Sequence, residues 1–218
     1  MNDITPMTPR ALRINVPREF GRGILEDVAV WKALHQSDVR LSGGVLTAHV
    51  VSSGGQFAAI PMNLAGADAT ADYVNTGAWS KKAISEAKRY LKVNVAADES
   101  ASNYSTVPAA GSLKLTPGAA YVHYTPNETI GGVEFPYVPA TNGVPLVADF
   151  SSSILSRPVD VSQFALIYAG AQKNIGPSGI VLVIVRDDLI GKARPGTPSI
   201  WSAVTPASSI AFWQASIE

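Results

Sequence analysis

Cysteine is absent from the 218 residues, which removes disulfides, zinc–thiolate sites, iron–sulfur clusters and thiol nucleophiles together. Histidine occurs only at His35, His49 and His123. Three such scattered positions outline no metal cage, and no metal is expected. Charge is scarce as well: charged residues make up 16% of the chain, and 17 basic against 17 acidic side chains leave no formal net charge. Without a basic excess to neutralise a phosphate backbone, a dedicated nucleic-acid binder is disfavoured. The longest strongly apolar stretch, Ile180 to Val185, is far too short to cross a bilayer. Residues 1–22 hold Asp3, Arg10, Arg13, Arg18, Glu19 and Arg22, with no apolar run like a signal-peptide core. Two glycosylation sequons, at Asn103 and Asn127, therefore read as chance matches. A soluble protein of the cytoplasm, without membrane or nucleic-acid partners, is the expectation.

Apolar material is ample at 46% of the residues, enough for a sizeable core and too much for a disordered chain. Residues 1–22 read as an arm, and Gly23 to Val39 has a helical pattern with Leu25, Val28, Val30, Trp31 and Leu34 on one stripe. From Val45 onward, short β-branched runs alternate with helix-like stretches: Val45–Val51, Gln56–Leu64, Ala71–Thr76 and Trp79–Leu91. Further strands are expected at Lys92–Ala96, Ala119–Tyr124, Val144–Asp149, Gln163–Tyr168 and Gly179–Arg186. Runs of this length fit strands buried on both faces of a mostly parallel sheet. Helices flanking such a sheet make an α/β layered domain. Within 78–91, Ala83, Ile84, Ala87 and Leu91 are placed inward, while Lys81, Lys82, Lys88 and Arg89 form a solvated surface. The Ser-, Ala- and Thr-rich stretch Asp98–Pro117 reads as a loop with little chemistry in it.

Ligands of open α/β sheets bind beyond the carboxyl ends of the strands, so residues there carry most weight. Val51-Ser-Ser-Gly-Gly-Gln-Phe57 places small residues between a strand and a helix, which is either a plain turn or a cradle for a phosphate. Asp149 ends an apolar strand and is either a local cap or a carboxylate aimed at a cationic group. Lys173 follows another strand inside Ile167-Tyr-Ala-Gly-Ala-Gln-Lys-Asn-Ile-Gly-Pro177, a setting in which shielding from water favours the neutral amine and Schiff-base chemistry. Tyr121-Val-His-Tyr-Thr-Pro-Asn-Glu-Thr-Ile130 ends a strand in hydroxyl and amide groups. Trp79, at a strand-to-helix junction, belongs to the core or stacks on a planar ring. A phosphate cradle, a flat aromatic, a carboxylate and a shielded lysine together meet the needs of pyridoxal phosphate.

Val147-Ala-Asp-Phe-Ser-Ser-Ser-Ile-Leu-Ser-Arg-Pro-Val-Asp160 and Ile167 to Pro177 resemble the signature segments of the phosphoserine aminotransferases, a family of fold-type I pyridoxal-phosphate enzymes. Gln56-Phe-Ala-Ala-Ile-Pro-Met-Asn63, Thr76-Gly-Ala-Trp-Ser-Lys-Lys82 and His123 to Ile130 agree in the same order. The resemblance runs from about Gln56 to Pro198. It implies the large cofactor domain of that fold, with pyridoxal 5′-phosphate as cofactor. Lys173 would bind the cofactor covalently and move the proton at the substrate's α-carbon. Asp149 would keep the pyridine nitrogen protonated, Trp79 would stack on the ring, and Thr129 would hydrogen-bond beside it. Gln172 and the backbone around Ser53 and Gly54 would hold the phosphate. The implied reaction moves the amino group of glutamate onto 3-phosphohydroxypyruvate, in serine and in some bacteria pyridoxine biosynthesis, and the implied assembly is a homodimer.

The departures from the family pattern are specific. Val51-Ser-Ser-Gly-Gly is a reduced form of its glycine-rich cup, and Ser153 stands where an aspartate is common. Its Ser-Ala-Gly-Pro and Ser-His-Arg-Ser segments have no counterpart in residues 1–50. Its Asn-Thr-Pro-Pro segment and small C-terminal domain have none after Trp201. The expected layout is an N-terminal arm and helix at 1–44, a cofactor domain at 45–200 and an unrelated tail at 201–218. The alternative reading is a truncated, catalytically inactive cofactor-domain fragment.

Overall fold

Alternation of β-branched runs with helical periods resolves into two helices and nine strands in the computed structural model, which describes residues 44–49, 53–176, 178 and 181–198. The expected helix at Gly23–Val39, the N-terminal arm and the tail 201–218 lie outside the described residues. In chain order the elements are β1 (Gly44–His49), α1 (Ser53–Leu64), β2 (Thr70–Asn75), α2 (Ala78–Ala87), β3 (Lys92–Asp98) and β4 (Val122–Tyr124). Then follow β5 (Asn127–Glu128), β6 (Val133–Glu134), β7 (Leu146–Asp149), β8 (Leu166–Gly170) and β9 (Val181–Arg186).

Seven strands form one sheet in the order β1-β9-β8-β7-β4-β2-β3, and β5 with β6 makes a separate two-stranded hairpin. The strands β8, β7, β4, β2 and β3 run parallel. The strand β9 pairs antiparallel with both β8 and β1, so it alone is reversed. This is the mostly parallel, helix-flanked sheet expected from the sequence. Strands β4 and β7 are shorter than the apolar runs that announce them, and the hairpin had no signal, being only two residues per strand.

Strand periodicity sorts the core onto two faces. On one face Tyr73, Tyr121, Val147, Leu166, Tyr168, Val181 and Val183 pack with Phe57 and Ile60 of α1 and with Ala83, Ile84 and Ala87 of α2. On the other, Val74, Val122, Leu146, Ala148, Ile167 and Ala169 pack with Phe135, Phe150, Ile154, Val161 and Phe164 from connecting segments. The inward residues Ala83, Ile84, Ala87 and Leu91 are buried, and Lys81, Lys82, Lys88 and Arg89 are exposed, as the helical period required. Regular helix ends at Ala87, and the chain continues through turns to Leu91, whose N–H donates to the Ala87 carbonyl at 3.1 Å.

Asp72 gives the Asp98–Pro117 stretch, expected as a loop with little chemistry in it, a structural anchor. It is fully buried on β2. Its carboxylate accepts from the Thr116 N–H (2.7 Å), the Thr116 hydroxyl (2.7 Å) and the Asn94 side-chain amide (2.8 Å). A buried carboxylate needs donors to offset its lost hydration, and the loop supplies two of these three. The segment is thereby tied to the sheet.

Candidate active site

Parallel strands β2, β4, β7 and β8 end at one edge of the sheet, and the residues singled out in the sequence lie just beyond those ends. Lys173 follows β8. Its Nζ donates to the Ser152 hydroxyl at 2.5 Å and to the Thr129 hydroxyl, and those two hydroxyls are themselves hydrogen-bonded. The lysine is exposed. Even so, partial burial of the amine pulls its pKa below the ordinary lysine value, against the opposing charge of Asp149.

Asp149 ends β7 and is buried at 4% exposure. One carboxylate oxygen, Oδ1, accepts from the Ser151 N–H at 3.0 Å and from the Ser151 hydroxyl at 2.6 Å. The Ser151 oxygen in turn accepts from the Gly170 N–H at 2.9 Å, which couples the ends of β7 and β8. Burial pushes the Asp149 carboxyl above its usual pKa, the Ser151 bonds and the Tyr168 hydroxyl oppose that rise, and Glu128 adds to it. Asp149 thus makes the local cap that its sequence position allowed. Its negative charge also lies close enough to act on the Lys173 ammonium.

Trp79 is half-buried in the first turn of α2, against the core on that face. Its backbone N–H donates to Glu128 Oε2 at 2.9 Å, and the next N–H, of Ser80, donates to Glu128 Oε1 at 2.8 Å. Glu128 is fully buried. A carboxylate at a helix N-terminus satisfies orphan amides and complements the helix dipole. The cap for α2 therefore comes from a strand 49 residues away, beside Thr129. The Trp79 ring takes the Lys82 ammonium over one face, 4.4 Å from its centroid, while its indole N–H is buried without a partner.

Ser53 and Gly54 open α1, with Gly54 exposed. Two residues into the helix from Gly55, Phe57 meets Tyr168 edge-on with ring centroids 6.3 Å apart. Gln172 is exposed and folds back over Gly170, where a β-carbon would collide with the Gln172 side-chain amide. The structure thus gathers Lys173, Thr129 and Asp149 beside the segment that positions Trp79. Gly54 and Gln172 lie outside that hydrogen-bond cluster. Ser151, Ser152 and Glu128 were not singled out from the sequence, although the serine run one residue beyond Asp149 was a usable signal.

Among the described residues no group of three or more His, Asp or Glu is arranged to hold a metal ion. A cavity of about 820 Å³, lined by Tyr124, Phe135, Phe150 and Arg157 among others, includes none of the site residues.

Residues 47–202 match the family model described as aminotransferase class-V. The chain belongs to that family. It is 62% identical over 145 residues to the phosphoserine aminotransferase of Pseudomonas paraeruginosa, covering 66% of this chain and 40% of that protein. With the phosphoserine aminotransferase of Pseudomonas aeruginosa it shares 59% over 154 residues, 71% of this chain and 43% of the relative. A solved phosphoserine aminotransferase from Bacillus circulans subsp. alkalophilus superposes with a TM-score of 0.74 at 43% identity, over 83% of this chain and 51% of that one. A pyridoxal-phosphate-bound phosphoserine aminotransferase from Trichomonas vaginalis gives a TM-score of 0.72 at 33% identity, over 86% and 53%. The fold is that of the fold-type I aminotransferases, and the chain spans about half the length of these relatives or less.

Proposed function

We propose that this chain is the cofactor-binding part of a phosphoserine aminotransferase, using pyridoxal 5′-phosphate to move the amino group of glutamate onto 3-phosphohydroxypyruvate. The observation that carries the reading is the Lys173 amine, held by Thr129 and Ser152 and facing the charge of buried Asp149. The donor set fits the cofactor. Near the carboxyl ends of β2, β4 and β7, Thr76, Trp79, Thr125 and Ser153 each keep a buried side-chain N–H or hydroxyl with no partner. That is unspent hydrogen-bonding capacity where a polar ligand is expected.

Lys173 would hold the cofactor's carbonyl carbon and, once displaced by substrate, carry the proton at the substrate's α-carbon. Its lowered pKa favours the neutral amine that either task needs. Asp149 would keep the ring nitrogen protonated, Thr129 would hydrogen-bond beside the ring, and Trp79 would lie against its face. Gln172 and the first turn of α1, at Ser53 and Gly54, would take the phosphate. When bound, pyridoxal phosphate supplies the electron sink that makes the α-carbon proton labile. A homodimer in the cytoplasm, with residues 45–200 as the cofactor domain between the segments 1–44 and 201–218, completes the proposal. No helix among the described residues is long and apolar enough to cross a membrane.

Adding pyridoxal phosphate should give a visible absorbance band, and borohydride should then fix one cofactor on the peptide containing Lys173. A colourless protein in excess cofactor, with Lys173→Ala indistinguishable from it, would overturn the proposal. Formation of 2-oxoglutarate from glutamate in a single turnover would test the amino transfer itself.

A further inference from the structure

Tyr168, His123 and Asp149 lie on the same sheet face, on three adjacent strands in the order β8, β7, β4. Asp149 is paired in register with Tyr168, and His123 with Val147. The Tyr168 hydroxyl nevertheless reaches His123 Nε2, at 2.9 Å. To join β8 to β4 the tyrosine side chain crosses the face of β7, near enough to Asp149 for the carboxylate charge to act on the phenol. The imidazole is buried at 1% exposure and stacked on Tyr73, with centroids 4.8 Å apart and planes 22° apart. Its other nitrogen, Nδ1, is buried without a partner.

We propose that Tyr168 and His123 are positioning residues for Asp149, a neutral two-step relay that donates a hydrogen bond to the carboxylate and holds it ionised for the cofactor's ring nitrogen. The proposal rests on the pyridoxal-phosphate reading above. The lone Nδ1 decides the direction of the relay. A proton on Nδ1 would face only the residue's own backbone oxygen, in a geometry that makes no hydrogen bond, whereas a proton on Nε2 meets the Tyr168 oxygen, so it is assigned to Nε2. From there it donates to the Tyr168 oxygen, which leaves the single hydroxyl proton of Tyr168 to point at Asp149.

Both members stay neutral across the working range. Burial pushes the His123 pKa down to about 3. Burial and then the Asp149 charge push the Tyr168 phenol well above its usual value. The other titratable groups around them are Tyr73 and Tyr121, whose hydroxyls pair at 2.7 Å, together with Glu128 from the hairpin and Lys173 after β8. From α1 the facing side chain is Phe57, which carries no charge.

The test is the pH dependence of pyridoxal phosphate affinity, read by quenching of intrinsic fluorescence, in the unaltered chain, Tyr168→Phe, His123→Phe and His123→Gln. A melting curve on each variant checks folding. Affinity should fall on the acid side as Asp149 takes up its proton. In Tyr168→Phe the carboxylate loses a donor, its pKa rises, and the acid limb should move up by half a pH unit or more, with affinity several-fold weaker at pH 7. His123→Phe should move the limb in the same direction. His123→Gln, whose amide N–H replaces the Nε2 donor, should restore it, and this pair decides the matter if Tyr168→Phe fails to fold. Uniform weakening with an unmoved acid limb in the folded variants would overturn the relay while leaving the cofactor reading intact. Absence of Lys173-dependent binding in the unaltered chain would remove that reading, and the relay with it.

Discussion

Gly77 lies directly against the Glu128 carboxyl group: a β-carbon at position 77 would stand 2.8 Å from Glu128 Cδ. That closeness lets both carboxylate oxygens reach the first free amides of α2, at Trp79 and Ser80. Gly77→Ala should push Glu128 away and expose a strained helix start, costing about 2–3 kcal/mol as charged hydrogen bonds are lost. Urea unfolding measures this. An unchanged midpoint for both Gly77→Ala and Glu128→Gln would show that α2 does not depend on the cap.

Asp72 satisfies three donors from two segments. Asp72→Asn replaces an acceptor oxygen by an amide N–H that faces those donors, and leaving one buried group unpaired costs about 1–3 kcal/mol. Proteolysis should open the 99–117 segment faster in the variant than in the unaltered chain. Equal cutting rates would contradict its role as a tether.

Ser152 holds the Lys173 amine together with Thr129. Ser152→Ala removes one of the two acceptors and leaves the amine less well aimed. Amino transfer from glutamate should slow by about tenfold, equivalent to about 1.4 kcal/mol. Borohydride should still attach the cofactor to Lys173. Full-speed transfer in the variant would assign the holding of the amine to Thr129 alone.

Asp149 carries a buried charge whose pKa lies above its ordinary value of 3.8, mainly through burial. The folded chain therefore binds this proton more tightly than the unfolded chain. Stability from this group is complete below pH 3.8 and declines as pH rises through the raised folded value. Asp149→Asn keeps the acceptor for Ser151 and removes the charge. Without cofactor it should be more stable than the unaltered chain at pH 7, and the two should converge below pH 3.8. A variant less stable at pH 7 would sink the assignment of Asp149 as a site held ionised at a cost.

His123 has the opposite sign. Its pKa falls from 6.5 to about 3 on folding because burial disfavours the imidazolium. The unfolded chain then binds the extra proton first, so stability from this group is full above pH 6.5 and is lost as pH falls towards 3. His123→Gln should flatten that acid-side decline in a series of denaturant titrations from pH 7 to pH 4. A decline of the same steepness in both proteins would place its origin in other groups.

Much of this was legible along the chain. The helical stripe Ala83, Ile84, Ala87 and Leu91 was readable because a helix repeats its inward positions every three to four residues. Lys173 and Asp149 were conspicuous because each follows an apolar strand, and strand ends face the ligand side of such a sheet. The hairpin of β5 and β6 was not readable, since two-residue strands show no period. Nor was the importance of Asp72, which looks like any polar residue within an apolar run until Thr116 is brought beside it.

With no cysteine and 17 charges of each sign, the chain has no thiol chemistry and no excess charge of either sign. The sequence by itself determined the alternation of strands and helices, the family, and the placement of a lysine and an aspartate at strand ends. These depend on near neighbours and short periods. The tertiary structure decided which groups serve them. Lys173 meets Ser152 from 21 residues away and Thr129 from 44, and Trp79 is set by Glu128 from 49. Those partners depend on strand order, because parallel strands linked by crossovers bring their ends together whatever the length of chain between them.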